Sequence, residues 1–137
     1  QGHLVLEVLK RFPSMQVDCY EIFEPNRIFL RQIPNVNLFA EPDFLEGTNN
    51  LGKYDRIIAN PPFSKNRDIL HIYRMFVNLK PGGKMVTLSG PHWKISGNKT
   101  ETMFREWLEE VKAEFYEIEA NSFEDTKVQT TIIKITK

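Results

Sequence analysis

Apolar and polar positions follow two different periods along this chain. Apolar residues spaced three to four apart predict four helices, and short runs rich in β-branched and aromatic residues predict six strands. The predicted helices cover residues 3–12, 25–32, 66 or 68 to 79, and 100–112. The predicted strands cover residues 17–22, 36–40, 54–59, 84–89, 114–119 and 129–136. Strand and helix therefore alternate through most of the chain.

This alternation predicts an α/β fold, with a Rossmann-like, mostly parallel sheet and helices on both faces. The last two strands have no helix between them, so we expect a C-terminal antiparallel hairpin. Ligands of such folds bind beyond the carboxyl ends of the strands. Glu21, Asp43 and Asn60 all fall at predicted strand ends.

Two connections carry turn residues. Lys80-Pro81-Gly82-Gly83 follows the third predicted helix, where we expect glycine to end the helix and reverse the chain. Residues 90–99 contain two glycines and one proline and predict a mobile loop. Its His92-Trp93-Lys94 segment follows a strand on the ligand side, so it is a candidate substrate contact; an exposed aromatic that tethers the loop is the equal alternative.

Composition limits the class of protein. The 137 residues, 41% hydrophobic and 26% charged, fit one globular domain. No apolar run reaches the length of a membrane-spanning helix, which predicts a cytoplasmic protein without a membrane partner. The single cysteine, Cys19, lies in an apolar segment and predicts a buried, inert thiol. His3, His71 and His92 lack the spacing of metal ligands, so no metal site is expected.

The charge balance bears on nucleic-acid binding. Eighteen Lys and Arg residues balance eighteen Asp and Glu residues. A domain that binds duplex DNA by itself usually carries a basic excess, because neutralising phosphates supplies much of the affinity. If the ligand is a nucleic acid, we expect a partner subunit or a further domain to contribute to target recognition.

The most specific motif is Asn60-Pro61-Pro62-Phe63, directly after a compact apolar strand. Adjacent prolines make a rigid turn whose carbonyls have no competing N–H donors. In this strand and helix order, the motif resembles the class I S-adenosylmethionine-dependent methyltransferases, and among them the amino-methyltransferases typified by adenine-specific DNA methyltransferases. The resemblance covers essentially the whole chain.

The resemblance implies catalytic roles for the turn. The Asn60 side-chain oxygen and the Pro61 carbonyl would accept the two hydrogens of the target amine, with Pro62 keeping the turn rigid. Phe63 would stack on a base that has left the helix. Phe123, before the last strand, would lie near the target pocket, although a plain edge hairpin explains Phe123 and Thr130-Thr131 nearly as well.

The resemblance also implies S-adenosyl-L-methionine as cofactor. Glu21 would accept hydrogen bonds from the ribose diol, with Glu24 as a second candidate. Asp43 would accept from the adenine amino group and Phe44 would pack on the ring; Glu41 or Glu46 are alternatives to Asp43. Gly2 would belong to the cofactor's glycine loop, and Asn60 would lie beside the cofactor.

The family pattern normally begins with a strand and a Gly-x-Gly loop, of which only Gln1-Gly2-His3 is matched. We therefore expect a single catalytic domain over residues 1–137 that lacks its first strand and most of its glycine loop. That strand would lie between those ending at Glu21 and Asn60, and its absence would expose both neighbours' edges. Without it, cofactor binding is expected to be poor.

The resemblance favours methyl transfer to the exocyclic amine of adenine in DNA. Two alternatives share the motif: methylation of guanine or adenine in RNA, and of a protein glutamine side chain. A catalytically silent methyltransferase-like binding subunit is a further alternative, which the intact Asn60-Pro61-Pro62-Phe63 disfavours. No cysteine follows a proline near a strand end, which disfavours covalent methylation of cytosine carbon five.

Overall fold

A computed structural model describes residues 2–118 and 129–137. Its α-helices are α1 His3–Arg11, α2 Glu24–Leu30, α3 Arg67–Asn78 and α4 Lys99–Glu110. Its strands are β1 Val17–Cys19, β2 Val36–Leu38, β3 Tyr54–Ala59, β4 Leu79–Ser89, β5 Glu114–Ile118 and β6 Thr130–Thr136. Short 3-10 turns lie at Ser64–Asn66 and His92–Lys94. The predicted α/β class is confirmed. Contacts divide the chain into two compact units, residues 1–48 and 49–137.

The first unit contains a two-stranded parallel sheet. β1 pairs with β2, with Val17 opposite Val36 and Cys19 opposite Leu38. Among the described residues of this unit, Leu30 is the one buried apolar side chain. Aromatic contact adds to this small core, since the rings of Tyr20 and Phe39 stack with centroids 4.3 Å apart.

The second unit contains a four-stranded mixed sheet in the order β3-β4-β6-β5. β3 and β4 are parallel, whereas β6 is antiparallel to both β4 and β5. The expected antiparallel pairing of the last two strands is therefore confirmed. Its order places the final strand β6 inside the sheet and β5 at the edge.

The core of the second unit lies where α3 and α4 meet one face of this sheet. A fully buried Ile, Leu, Met or Phe side chain contributes roughly 1.5–3 kcal/mol to stability. The buried apolar side chains are Ile69, Ile72, Met75, Leu79, Met85, Trp93, Phe104, Leu108, Ile133 and Ile135. Edge-to-face contacts of Tyr73 with Phe104 and with Trp107 join α3 to α4.

Both sheets have an edge without a strand partner in the described part of the chain. β1 pairs on one side with β2, and β3 pairs on one side with β4. These are the two strands between which an additional strand is expected from the sequence. That strand, and helices on both faces of one continuous sheet, stay predictions.

The segment after α3 differs from the prediction. The helix ends at Asn78 because Leu79 is extended (φ −75°, ψ 142°) and pairs with Tyr54 of β3, so glycine does not end it. The next matched pair is Arg56 with Lys84, and residues 80–83 bulge from the strand. Gly82 in this bulge has φ +81°, a conformation that glycine adopts readily because it lacks a Cβ. β4 thus begins at Leu79 instead of residue 84.

The first two strands are shorter than predicted. β1 ends at Cys19 and β2 at Leu38. Beyond each end the backbone carbonyls of Glu21, Phe39 and Ala40 bind a side chain instead of a neighbouring strand. No helix in the described residues has the length and apolar character needed to cross a membrane.

Candidate functional site

The Asn60–Phe63 turn leaves β3 without an intervening residue. Pro61 is buried, while Asn60 and Pro62 are exposed. The buried proline fixes the turn to the unit and leaves the preceding amide at the surface. Within the described residues the Asn60 side chain has no hydrogen-bond partner, so its oxygen is available as an acceptor.

Phe63 is half-buried and lies against the backbone after β4. A Cβ placed on Gly90 would be 3.2 Å from both Cβ and Cδ2 of Phe63 and 3.1 Å from Nδ1 of His92. A side chain at this position would therefore require Phe63 or His92 to shift by a few tenths of an ångström. The Cδ2 edge of Phe63 thus lies beside Gly90, and part of the residue stays accessible to solvent.

The loop at residues 90–99 is more anchored than the sequence suggests. Trp93 is buried, and its Nε1 donates to Ser89 Oγ at 3.0 Å. Arg105 of α4 donates through one nitrogen to the carbonyls of Trp93 (2.6 Å) and Ser96 (2.7 Å). The prediction of an exposed aromatic at Trp93 is therefore wrong, because its ring completes the core between β4 and α4. Lys94 forms an ion pair with Glu117.

Glu21 follows β1 by two residues and is half-buried. Its Oε1 accepts from the Phe23 N–H at 2.8 Å, and its Oε2 from Asn26 Nδ2 at 3.1 Å. An ionised carboxylate offers about four lone-pair sites, so each oxygen can accept a further hydrogen bond. Glu24, the second candidate, is engaged elsewhere, in ion pairs with Arg27 and Arg31.

Asp43 lies in the loop after β2. Its Oδ1 accepts from the Leu45 N–H at 2.9 Å, and its own N–H donates to Glu41 Oε1 at 3.0 Å. These bonds give the loop a defined local shape. Phe44 is half-buried, with its ring edge-on to Tyr20 at 5.3 Å. Phe44 thus packs in the aromatic cluster of the first unit and keeps part of its ring accessible.

Gly2 immediately precedes α1 with φ +61°, a left-handed conformation that favours glycine. A Cβ there would lie 3.0 Å from Leu30 Cδ2. The positive φ by itself favours glycine on structural grounds, while the Leu30 side chain could shift to admit a Cβ. Its assignment to a cofactor loop stays a prediction.

Arg27 was missed by the sequence reasoning. Its side chain is 6% exposed and donates to the Glu21 carbonyl at 2.8 Å, the Phe39 carbonyl at 3.0 Å and the Ala40 carbonyl at 3.4 Å. One guanidinium therefore joins the segments after β1 and β2. Its place three residues before the buried Leu30, on the inner face of α2, was the available signal.

Cys19 ends β1 and is half-buried. Burial, assisted by the nearby Glu21 carboxylate and opposed by Arg27, raises the pKa of its thiol to about 11. The thiol is therefore protonated at neutral pH, as an inert cysteine should be.

The candidate site residues belong to two different units. Gly2, Glu21, Asp43 and Phe44 belong to the first unit, and Asn60–Phe63 to the second. Phe123 lies outside the described residues. The Thr131 hydroxyl donates to both carboxylate oxygens of Glu117 at 3.3 Å and so supports the β5–β6 pair. In the described part of the chain, no three His, Cys, Asp or Glu side chains are grouped as a metal site.

No protein-family model and no curated protein matches this sequence. Solved structures do match its fold. The type I restriction-modification system methyltransferase subunit from Streptococcus thermophilus is 18% identical with a TM-score of 0.63; the match covers 90% of this chain and 40% of that one. M. jannaschii TYW2 in complex with AdoMet is 16% identical with a TM-score of 0.59, over 94% and 60% of the two chains.

A third similar structure is a dimethyladenosine transferase from Plasmodium falciparum. It is 18% identical with a TM-score of 0.58, over 99% of this chain and 52% of the other. This chain spans less than two thirds of the length of each of the three. At such identities the similarity establishes the fold: an α/β arrangement like that of S-adenosylmethionine-dependent methyltransferases.

Proposed function

We propose that this chain is the catalytic portion of an S-adenosylmethionine-dependent methyltransferase that methylates the exocyclic amine of adenine in DNA. The observation that carries the proposal is the exposed Asn60 amide, fixed at the end of β3 by the buried Pro61 and followed by the partly exposed Phe63 ring. Among proteins of similar fold, a restriction-modification methyltransferase subunit and a dimethyladenosine transferase support this reaction class.

The chemistry requires polar acceptors near the amine. The lone pair of an aromatic amine is delocalised into the ring, which makes the nitrogen a poor nucleophile. If the Asn60 side-chain oxygen and the Pro61 carbonyl accept its two hydrogens, the nitrogen shifts toward tetrahedral geometry and its lone pair becomes available. Both acceptors belong to one rigid turn, so little reorganisation is needed during reaction.

The bound cofactor would supply an electrophilic methyl group on a positively charged sulfur. The amine nitrogen would gain the methyl carbon as the sulfur gives it up, and one amine proton would leave to solvent. No nucleophilic side chain is needed, so the contribution of this chain is orientation. Phe63 would hold the base by stacking, which requires the base to leave the double helix.

The residues of the first unit fit the proposed cofactor chemically. The Glu21 carboxylate keeps acceptor capacity for a ribose diol after its two hydrogen bonds to the chain. Asp43 would accept from the adenine amino group, and the partly exposed Phe44 ring offers it an apolar surface. Arg27 would keep the carbonyls beside these positions in place.

The zero net charge is consistent with another subunit or domain supplying part of the affinity for the target. Phosphate contacts dominate the affinity for duplex DNA and require cations that here are balanced by acidic side chains. We therefore propose a partner subunit or further domain for sequence recognition.

The decisive experiment supplies the full-length protein with methyl-labelled S-adenosylmethionine and, separately, duplex DNA, RNA and protein. We expect label in DNA, on the adenine amine. Label confined to RNA or to a protein glutamine would contradict the proposed substrate but keep the reaction class. Cofactor binding without label in any acceptor would contradict catalysis and favour a silent binding subunit.

A further inference from the structure

Asp68 carries a fully buried carboxylate in the first turn of α3. Its Oδ1 accepts from the Ile69 N–H and its Oδ2 from the Gly90 N–H, each at 3.0 Å. Burial raises the pKa of Asp68, although both hydrogen bonds and nearby His92 oppose that shift. Burying a carboxylate is costly unless its partners compensate, so this side chain needs an explanation beyond α3 itself.

His92 lies beside this carboxylate without a hydrogen bond to it. Its Nε2 lies 3.3 Å from Asp68 Oδ1, and its side chain is 32% exposed. The carboxylate of Glu101 on α4 also interacts electrostatically with His92. Glu101 is buried, and its Oε1 accepts a hydrogen bond from Asn66 Nδ2 at 3.0 Å. The imidazole therefore lies in the field of carboxylates from both packed helices, α3 and α4.

Gly90 links this cluster to the Asn60–Phe63 turn. Its N–H binds Asp68, and its α-carbon is close enough to Phe63 and His92 that an added Cβ would meet them at 3.2 and 3.1 Å. At these distances a shift of Gly90 must move the ring or open a gap beside it. The contacts run from Asp68 through Gly90 to Phe63.

From these contacts we infer that Asp68 is a positioning residue for Phe63. Its carboxylate keeps Gly90 and His92 in place, and these two residues, called the wall below, support the ring in the position where it would stack on the target base. The stacking role rests on the proposed function. The placement of the ring by Asp68 does not, since it follows from the contacts alone. Asp68 itself touches neither substrate nor cofactor in this assignment.

The kinetic test uses Asp68→Asn in the full-length protein. Asparagine keeps one oxygen but turns an N–H toward one of the two backbone N–H donors, so the wall loosens. We expect the KM for the target to rise about tenfold through misplaced stacking, while cofactor affinity changes less than about twofold. Unchanged target KM in this variant would overturn the inference.

The matched control is Ile72→Val, which removes one methylene from a fully buried residue on the same helix. It lowers stability and keeps the Asp68 carboxylate with both of its N–H partners. We expect the target KM to stay as in the wild type. An equal rise in both variants would assign the effect to general loosening of α3 and overturn the inference.

A spectroscopic readout separates this inference from the proposed function. In the same protein with ¹³C-labelled phenylalanine, the Phe63 ring resonance is assigned through Phe63→Leu. We expect Asp68→Asn and His92→Gln each to move that resonance, and Ile72→Val to leave it in place.

These readouts fail independently. Absence of methyl transfer to any acceptor, with a shifted Phe63 resonance, would remove the proposed function and keep the positioning role. A Phe63 resonance unmoved in His92→Gln and Asp68→Asn would remove the positioning role. If Asp68→Asn does not fold, His92→Gln alone decides, because His92 is part of the same wall and partly exposed.

Discussion

The two strand-end regions are held by opposite charges. After β1 and β2, the buried Arg27 guanidinium gathers three backbone carbonyls. In the second region, the buried Asp68 carboxylate accepts from the Gly90 N–H, directly after β4, and from the Ile69 N–H in the first turn of α3. Strand ends and the first turn of a helix leave backbone groups without a neighbour, and a buried charge can satisfy several of them at once. The sign of the charge indicates which backbone groups each region leaves unpaired.

The regions also differ in how much apolar core lies beneath them. Among described residues the first unit buries Leu30, whereas the second buries ten apolar side chains. Hydrophobic burial dominates stability, so the first unit depends more on its polar connections. A ligand that binds the folded first unit and not its unfolded chain adds to this stability by mass action.

The largest expected effect separates the regions by function. Asn60→Ala removes a preorganised acceptor and should lower methyl transfer about 10²-fold or more, while cofactor affinity stays nearly unchanged. Single-turnover kinetics measure the rate of methyl transfer, and calorimetry measures the cofactor affinity. Near-normal turnover would refute the role given to Asn60.

The reactivity of Cys19 measures how well the β1 end is desolvated. With a pKa of about 11, about 0.1% of the thiol is ionised at pH 8, roughly two orders of magnitude less than for an ordinary cysteine. Alkylation by iodoacetamide should be slower by a similar factor than for a free thiol. A rate like that of glutathione would show that the strand end opens readily.

Arg27→Met tests the first region directly. Three carbonyls lose a charged donor, which should lower the free energy of unfolding by about 2–3 kcal/mol and weaken cofactor binding. Urea unfolding and calorimetry provide the two measurements. Arg31→Met, at the exposed residue that follows α2, is the control and should change stability by less than about 0.5 kcal/mol. Equal losses in the two variants would contradict the assigned role of Arg27.

The smallest expected effect is a pH dependence in the second region. Because the pKa of Asp68 is raised in the folded protein, the native state holds its proton more tightly than the unfolded chain does. The Asp68 contribution to stability should therefore increase as pH falls through the raised pKa toward 3.8. It is measured as wild type minus Asp68→Asn in urea unfolding between pH 7 and 4. A difference that decreases over this range would contradict the assigned direction.

The spacing of apolar residues predicted the helices and strands that local interactions determine. β3 was predicted at its observed bounds, and the helices within two residues at each end, because apolar spacing is a local property. Arg27 and Asp68 were not recognised, since their partners lie on segments distant in sequence. Each occupies an inward position of an amphipathic helix, and a charge at such a position was the signal to follow.

The turn at residues 80–83 and the burial of Trp93 show the same limit. Proline and glycine marked a reversal, but the pairing of Leu79 with Tyr54 ended α3 earlier. Likewise, a tryptophan in a glycine-containing loop gave no sign of the α4 residues that cover it. The joint arrangement of Glu21, Asp43 and Asn60 stays a prediction from strand order.

The Arg27 contacts also bear on how this protein could change over evolution or in the laboratory. All three of its hydrogen-bond acceptors are main-chain oxygens, which every amino acid supplies. The exposed side chain at position 40 can therefore be exchanged while the guanidinium keeps its acceptors, whereas Glu21 and Phe39 also have side-chain contacts of their own. Ligand preference at this edge should thus be open to redesign at position 40 without loss of the Arg27 contacts that hold the two loops.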